Sequence, residues 1–280
     1  MPCANQFALR PRRLGRLLSA GLLVLALAGC GDDEGPVYVE QPVEELYNGA
    51  LNQLYLKNYE ESARLFDEVE RQHPYSAWAS KAQLMAAFAQ YQDSMYDDAI
   101  NTLDRFIQLH PGHKDIAYAY YLRGISYYEQ ISDVERDQKM TRLALANLDE
   151  VSRRFPDSKY ARDSRFKMDL TRDHLAGKHM SIGRFYLSSG EYLAAINRFR
   201  TVIKTFETTS HVPEALHRLV EAYLALGVVD EAQANAAVLG YNYPGSEWYA
   251  DSYALFTGVD AMPDEESDQG WVGRTWDSVF

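Results

Sequence analysis

Tyr96 to Pro111, YDDAINTLDRFIQLHP, sets the pattern that four other parts of the chain repeat. It opens on an aromatic residue, places Ala99 three positions later, and stops at Pro111. Between them Ile100, Leu103, Phe106 and Ile107 form an apolar stripe at helical spacing. Ala99 and Pro111 have counterparts in Ser62 and Pro74, Ala144 and Pro156, and Ala232 and Pro244, each pair twelve residues apart. A fifth copy, YLAAINRFRTVIKTFE, puts Ala195 at the small position and Glu207 where proline stands elsewhere.

A small residue at this point lets two antiparallel helices cross closely. The proline ends the second helix of each pair because it cannot continue the hydrogen-bond ladder. Pro-Xaa-Ser follows in three copies, and Ser76, Ser158 and Ser246 are placed to cap the next helix. The unit is a helix–turn–helix repeat resembling the tetratricopeptide repeat of about 34 residues. Spacings of 37, 45, 51 and 37 between small positions make the array degenerate, with added length in two units. The expected fold is all-α, a superhelical array of about five tetratricopeptide-like helix pairs.

The chain of 280 residues is 46% hydrophobic and 24% charged, enough for a full core and too apolar for general disorder. No alternating run rich in Val, Ile and Thr appears, so almost no sheet is expected. Residues 1–29 read as a lipoprotein signal peptide: Arg10, Arg12, Arg13 and Arg16 precede an apolar run from Leu17 to Ala28, too short to span a bilayer. Its end, Leu27-Ala28-Gly29-Cys30, looks like the lipobox of bacterial lipoproteins, which makes Cys30 the lipidation site. Several acyl chains on one residue anchor durably where one does not. Residue 31 is glycine, so the inner-membrane retention aspartate is not directly after the cysteine, and outer-membrane sorting is expected.

With Cys3 removed and Cys30 acylated, no thiol remains for a disulfide in an oxidising compartment. Cleavage also moves the formal charge from −12 to −16. So acidic a protein is not built for nucleic acid or for anionic lipid headgroups, and its partners are expected to be proteins.

Residues 30–42 read as a lipidated, flexible tether, 43–130 as N-terminal repeats, 131–258 as C-terminal repeats and 259–280 as an acidic, then aromatic tail. Leu46, Ala50, Leu54, Ala63, Phe66 and Val69 give the first pair its buried side. Trp78, Ala82, Met85, Phe88 and Ala89 share one face of the next helix, and Ala117, Tyr121, Gly124 and Tyr128 one stripe of the third pair. The polar stretch 129–141 reads as an inserted loop. Lys159 to Ser189 reads as helix interrupted near Gly177, and Pro213 as a first helical residue. A last helix from Ser246 to about Thr257 is expected to cap the array. Trp271, Trp276 and Phe280 belong to no repeat; they seek a partner surface or fold back on the last helices.

No phosphate loop, HExxH or nucleophile elbow is present. His110 and His113 flank Pro111 and Gly112 as loop histidines, with no cysteine or clustered carboxylates to complete a metal site. Acidic residues are spread over every helix, so no acid/base pair stands out. The chain reads as a binding scaffold without cofactor or metal. Its aromatic A helices, with Tyr75, Trp78, Tyr91, Tyr118 and Tyr121, offer apolar surface with polar tips.

The lipobox, the five degenerate repeats, DRFIQLHPGHKDIAYAYYLRG (Asp104 to Gly124), PDSKYARDS (Pro156 to Ser164) and SIGRFYLSSGEYLAAINRF (Ser181 to Phe199) together resemble the BamD family, outer-membrane lipoproteins of the β-barrel assembly machinery. The resemblance covers about residues 43–258, and the short loop at 129–141 and the tail after Gly258 fit an α-proteobacterial-like variant. It implies a lipid anchor on the periplasmic face of the outer membrane. It also implies docking of the POTRA domains of a BamA-type barrel protein, contacts with other Bam lipoproteins, and recognition of the C-terminal signals of unfolded outer-membrane proteins. By position, Tyr75, Trp78, Tyr91 and Tyr121 fall in the substrate-binding part and Arg198 in the part that docks a partner, with Trp271 and Trp276 as further partner-binding residues. The alternatives are a periplasmic repeat lipoprotein of the Tol–Pal or cell-wall type, and a wall hydrolase with a helical superhelix.

Overall fold

Each repeat buries the same three positions of its second helix. Counting from the small residue, positions +4 and +7 are Phe66 and Val69, Leu103 and Phe106, Leu148 and Val151, Phe199 and Val202, and Ala236 and Leu239. All ten, and the five small residues themselves, are wholly buried. That is the apolar stripe of a helix with one face against its partner. The computed structural model describes residues 40–258, of which 42–258 belong to one compact unit.

Eleven helices run through the described residues: α1 Val43–Tyr55, α2 Tyr59–Gln72, α3 Ala79–Gln92, α4 Tyr96–Leu109, α5 Ile116–Tyr128, α6 Lys139–Arg154, α7 Lys159–Ser188, α8 Tyr192–Thr205, α9 Val212–Ala225, α10 Val229–Asn242 and α11 Glu247–Thr257. They form five A/B pairs with α11 closing the end against α9 and α10. No strand occurs among the described residues. Successive A helices also touch, α3 with α5, α5 with α7, α7 with α9 and α9 with α11, more closely than successive B helices do. The array therefore curves with the A helices on its inner side.

The close crossings have specific causes. In the first pair Ser62 Oγ donates to the Ala50 carbonyl oxygen at 2.9 Å, satisfying a buried hydroxyl where the helices meet. In the fourth, α7 presents Gly183 to α8; a Cβ there would lie 2.5 Å from Phe199 Cε1. Gly124 does the same for the third pair, where a Cβ would meet Leu148 Cδ2 at 3.1 Å.

The turn from A to B helix carries a requirement that the periodicity did not announce. Lys57, Ser94, Gly190 and Gly227 stand two residues before their B helices, all with φ between 62° and 77°. Two repeats meet this left-handed position with glycine and two with side chains that strain there.

Each B helix ends two residues before the proline position, and the residue between them, His73, His110, Phe155 or Tyr243, caps it with φ near −130°. Phe206 takes the same conformation before Glu207, φ −127° and ψ 40°, so the turn survives without proline.

Several expectations need correction. Ser158 and Ser246 cap α7 and α11 through the amides of Ala161 and Trp248, each at 3.2 Å. Ser76 caps nothing, because α3 starts later, after Trp78, and leaves the Ser76 hydroxyl buried without a partner. α7 runs unbroken through Gly177, and the 51-residue spacing is one helix of 30 residues rather than two pieces. Helix α3 is buried on several sides, at Gln83, Leu84, Ala86, Ala87 and Gln90 besides Ala82 and Ala89, because an inner helix lies between two B helices. On α5 the deepest residues are Ala119, Leu122, Ile125 and Ser126, whereas Ala117, Tyr121 and Tyr128 are half-buried at the inner surface. Leu54 is half-buried as well.

The inserted loop between α5 and α6 is tied together by one buried side chain. Gln138 Nε2 donates to the carbonyl oxygens of Asp133, Val134 and Arg136 at 3.1–3.2 Å, and Thr141 Oγ1 donates to Gln138 Oε1 at 2.8 Å. On the B side, Arg123 reaches Asp104 of α4 at 2.7 Å and Glu150 of α6 at 2.8 Å, stitching two repeats.

The capping helix is held by a histidine. His217 of α9, 4% exposed, sets Nδ1 2.8 Å from Ser252 Oγ of α11 and packs its ring on Trp248 at 5.4 Å. Burial holds its pKa below the ordinary 6.5, outweighing Glu221, Asp251 and Glu214, which pull upward, while Arg218 pushes the same way as burial. The unfolded chain thus takes up a proton at higher pH than the folded one. The stabilising contribution is complete above pH 6.5 and is lost as pH falls through that value toward the depressed native pKa. Thermal unfolding followed from about pH 8 to about pH 5 is expected to show this decline, and His217→Gln to flatten it.

Candidate functional site

The inner surface of the second to fourth repeats carries a row of tyrosines, one set from each A helix. α3 supplies Tyr91; α5 supplies Tyr118, Tyr121 and Tyr128; α7 supplies Tyr160. The spacing of three between Tyr118 and Tyr121 puts both rings on one side of α5, where α7 brings Tyr160 against them. Tyr121 stacks on Tyr160 with centroids 5.1 Å apart and planes 26° from parallel, and Tyr118 meets the same ring at 5.4 Å.

Carboxylates hold the phenols. Tyr121 Oη donates to Asp163 Oδ2 at 2.5 Å, and Tyr91 Oη donates to Glu129 Oε1 at 3.3 Å. Lys167 lies over the Tyr128 ring, 4.8 Å from its centroid, and 4.0 Å from Asp163. Burial, then Glu129, pushes the Tyr91 hydroxyl up to about 12. Burial raises Tyr118 and Tyr121 as well, the latter helped by its bond to Asp163. All three remain neutral donors at physiological pH. The row offers flat apolar surface with fixed polar tips, which suits an extended segment carrying apolar side chains and free backbone groups.

The structure brings Tyr91 and Tyr121 into this row, and leaves Tyr75 and Trp78 out of it. Both precede α3 in the turn after α2 rather than lying on an A helix. Tyr75 is fully exposed. Trp78 is half-buried, with Tyr47 at 4.8 Å on one side and the Lys81 ammonium 5.4 Å from its ring on the other. Tyr160, Asp163, Glu129 and Lys167 were not foreseen. Tyr160, Asp163 and Lys167 follow one another at helical spacings of three and four, but only the stacking of α7 on α5 makes them neighbours of Tyr121.

Arg198 sits apart, on α8, half-buried beside His179 of α7, whose pKa is lowered by burial and by this guanidinium. Among the described residues Arg198 has no carboxylate within ion-pair distance. Its neighbours do: Arg184 with Glu214 at 2.9 Å, Arg218 with Glu221 at 2.7 Å, and Arg200 with Glu231 at 4.0 Å. A partly exposed guanidinium without an internal carboxylate keeps its charge available to a carboxylate brought by a partner.

His110 and His113 both pack on Phe106, 5.2 Å between ring centres, and His113 Nδ1 accepts from the Asp115 amide at 3.1 Å. Cys30, Trp271 and Trp276 lie outside the described residues.

A curved stack of helix pairs, with an aromatic inner row and an uncompensated arginine beyond it, defines a tetratricopeptide-type scaffold that works by binding. Residues 39–239 match the family YfiO, outer membrane lipoprotein. The chain belongs to that family. It is 50% identical over 249 residues to the outer membrane protein assembly factor BamD of Caulobacter vibrioides, covering 88% of this chain and 82% of that one. To BamD of Rickettsia prowazekii it is 46% identical over 244 residues, covering 87% and 97%. Among solved structures, the TPR2AB domain of yeast Sti1 overlays with a TM-score of 0.44 at 12% identity, covering 85% of this chain and 89% of that one. The likeness to outer membrane protein assembly factors, rather than to cell-wall proteins, takes the place of the Tol–Pal alternative.

Proposed function

We propose that this protein is a non-enzymatic, lipid-tethered scaffold of the outer-membrane β-barrel assembly machinery, anchored through Cys30. The C-terminal repeats dock the POTRA region of a BamA-type barrel protein through Arg198, and the tyrosine row of the N-terminal and middle repeats takes the C-terminal segment of an unfolded barrel protein. The observation that carries the docking half is the half-buried, unpaired guanidinium of Arg198, which calls for an acidic partner group. What supports the substrate half is the match between an aromatic surface, whose Tyr91 and Tyr121 phenol oxygens can still accept while their protons go to Glu129 and Asp163, and a strand that carries apolar side chains and backbone N–H groups. Family membership supports both. The driving energy comes from substrate folding, and the scaffold adds proximity.

Binding of a synthetic C-terminal barrel-strand peptide tests the substrate half. Tyr121→Ala removes a stacked ring and frees Asp163, and is expected to weaken binding about tenfold, the loss of one well-buried aromatic contact. Tyr75→Ala, at a residue outside the row, is expected to change it less. Equal effects from the two substitutions, or none from Tyr121→Ala, contradict this assignment.

A further inference from the structure

The first half of α7 carries two side chains that its packing does not require. Of the exposed residues between Lys159 and His174, Lys159, Arg162, Arg165 and Asp169 are charged. Phe166 and Leu170 are apolar, 62% and 44% exposed, and stand one helical turn apart on the same face. A lone exposed apolar residue needs no explanation, but this pair adjoins a cleft.

Leu170 forms one wall of that cleft, of about 360 Å³, and Tyr128, Glu129, Ile131, Thr171 and His174 complete it. The cleft opens off the tyrosine row, for Tyr128 belongs to both, and Glu129 in its wall accepts the Tyr91 hydroxyl. Glu129 is the one acid of the lining, and the Lys167 ammonium over the Tyr128 ring brings the opposite charge to the same place. Neither sign dominates, so a neutral side chain is favoured over a charged one.

Beyond Leu170 the surface changes character. A wider cleft shares Leu170 and His174 but is lined also by Asp133, Glu135, Arg136 and Asp173. The apolar track that begins at Tyr91 therefore ends at Leu170. From Tyr118 to Tyr128 α5 rises about 15 Å, the length of about four or five extended residues. Alternate side chains of a strand face the same way, so a strand laid on the row points two or three at it, and the last of these reaches the cleft.

We propose that the cleft at Leu170 is a side-chain pocket that takes one aromatic residue of the bound strand and so sets the specificity of the row. This rests on the reading of the row as the site for an extended barrel segment. An aromatic ring there lies against Tyr128 and Leu170 and fills space that an alanine would leave to water. Phe166, one turn back along α7, extends the apolar wall toward solvent.

Double-mutant cycles on the full-length lipoprotein in detergent test this, using the synthetic C-terminal barrel-strand peptide and versions in which each aromatic residue in turn is alanine. Leu170→Glu puts a carboxylate in the wall of the cleft and is expected to weaken the parent peptide about tenfold. Alanine at a single aromatic position of the peptide is expected to weaken binding to the unaltered protein about tenfold, but binding to Leu170→Glu by less than about twofold. Leu170 is exposed, so the fold bears the change. Phe185→Glu, at a similarly exposed residue of α7 outside the row, is expected to leave every affinity unchanged. An equal loss for all peptides in Leu170→Glu, with no position coupled to it, overturns the pocket. So does an unchanged affinity for the parent peptide: if Tyr121→Ala still weakens binding, the row stands and the pocket alone falls, and if neither substitution weakens it, both fall.

Discussion

Phe199→Ala is expected to destabilise the protein by about 4 kcal/mol, the cost of emptying a buried aromatic site that cannot collapse. For an array of this size that corresponds to a fall in melting temperature of roughly 8–16 °C. Phe199 is wholly buried and its ring fills the space left by Gly183 on α7. α7 and α8 each pack on both sides of this contact, so neither can move inward without opening another one. Because each repeat touches only its neighbours, the damage is expected first in the C-terminal half. Hydrogen exchange should rise in α7–α9 before α2–α4. The companion change Gly183→Ala drives a methyl into the same ring, and is expected to be better tolerated when residue 199 is leucine. A melting shift below about 3 °C for Phe199→Ala contradicts this packing account.

Arg198→Glu is expected to abolish docking of the POTRA region while leaving the fold intact. The guanidinium makes no ion pair among the described residues, so its reversal breaks nothing inside the array. Against an acidic partner group the same reversal turns attraction into repulsion within a partly desolvated contact, costing about 2–5 kcal/mol, or at least about thirtyfold in affinity. Arg200→Glu is the internal comparison: that side chain is exposed and only loosely paired with Glu231 at 4.0 Å, and its reversal is expected to cost far less. Affinity for a purified POTRA fragment, read beside an unchanged helical circular dichroism signal, decides the matter. If Arg198→Glu binds within about threefold of the parent, the docking surface lies elsewhere.

The repeat was legible because its signal is local. Small residue, apolar positions four and seven later, and a helix end at ten are fixed by one helix against its partner, and all five copies kept them, including the one with Glu207 at position twelve. Ser76 shows the limit of that reading: the same Pro-Xaa-Ser that caps at Ser158 and Ser246 is bypassed where Trp78 turns inward to Tyr47. The left-handed turn at Lys57 and Ser94 stayed hidden because neither residue advertises positive φ, while Gly190 and Gly227 do. α7 was read with a break because Gly177 is a weak helix former. In the fold it serves closeness instead: a Cβ there would lie 3.3 Å from His211 Nε2 and 3.6 Å from Val134 Cγ1.

The tyrosine row was half legible. Tyr91 and Tyr121 followed from aromatic A helices, but Tyr160 and Asp163 complete the surface from 42 or fewer residues away, through helix stacking that no local pattern encodes. Arg198 was visible only through family resemblance; its lack of a carboxylate is a property of the assembled repeats.

Affinity purification of the tagged lipoprotein from solubilised native membranes, with mass spectrometry of its companions and of its own N-terminal peptide, tests the central claim most directly. The account predicts a POTRA-bearing barrel protein among the companions and an N-terminal peptide that begins at acylated Cys30. Recovery of Tol–Pal or peptidoglycan proteins in place of the barrel, or an unacylated N-terminus, would contradict it.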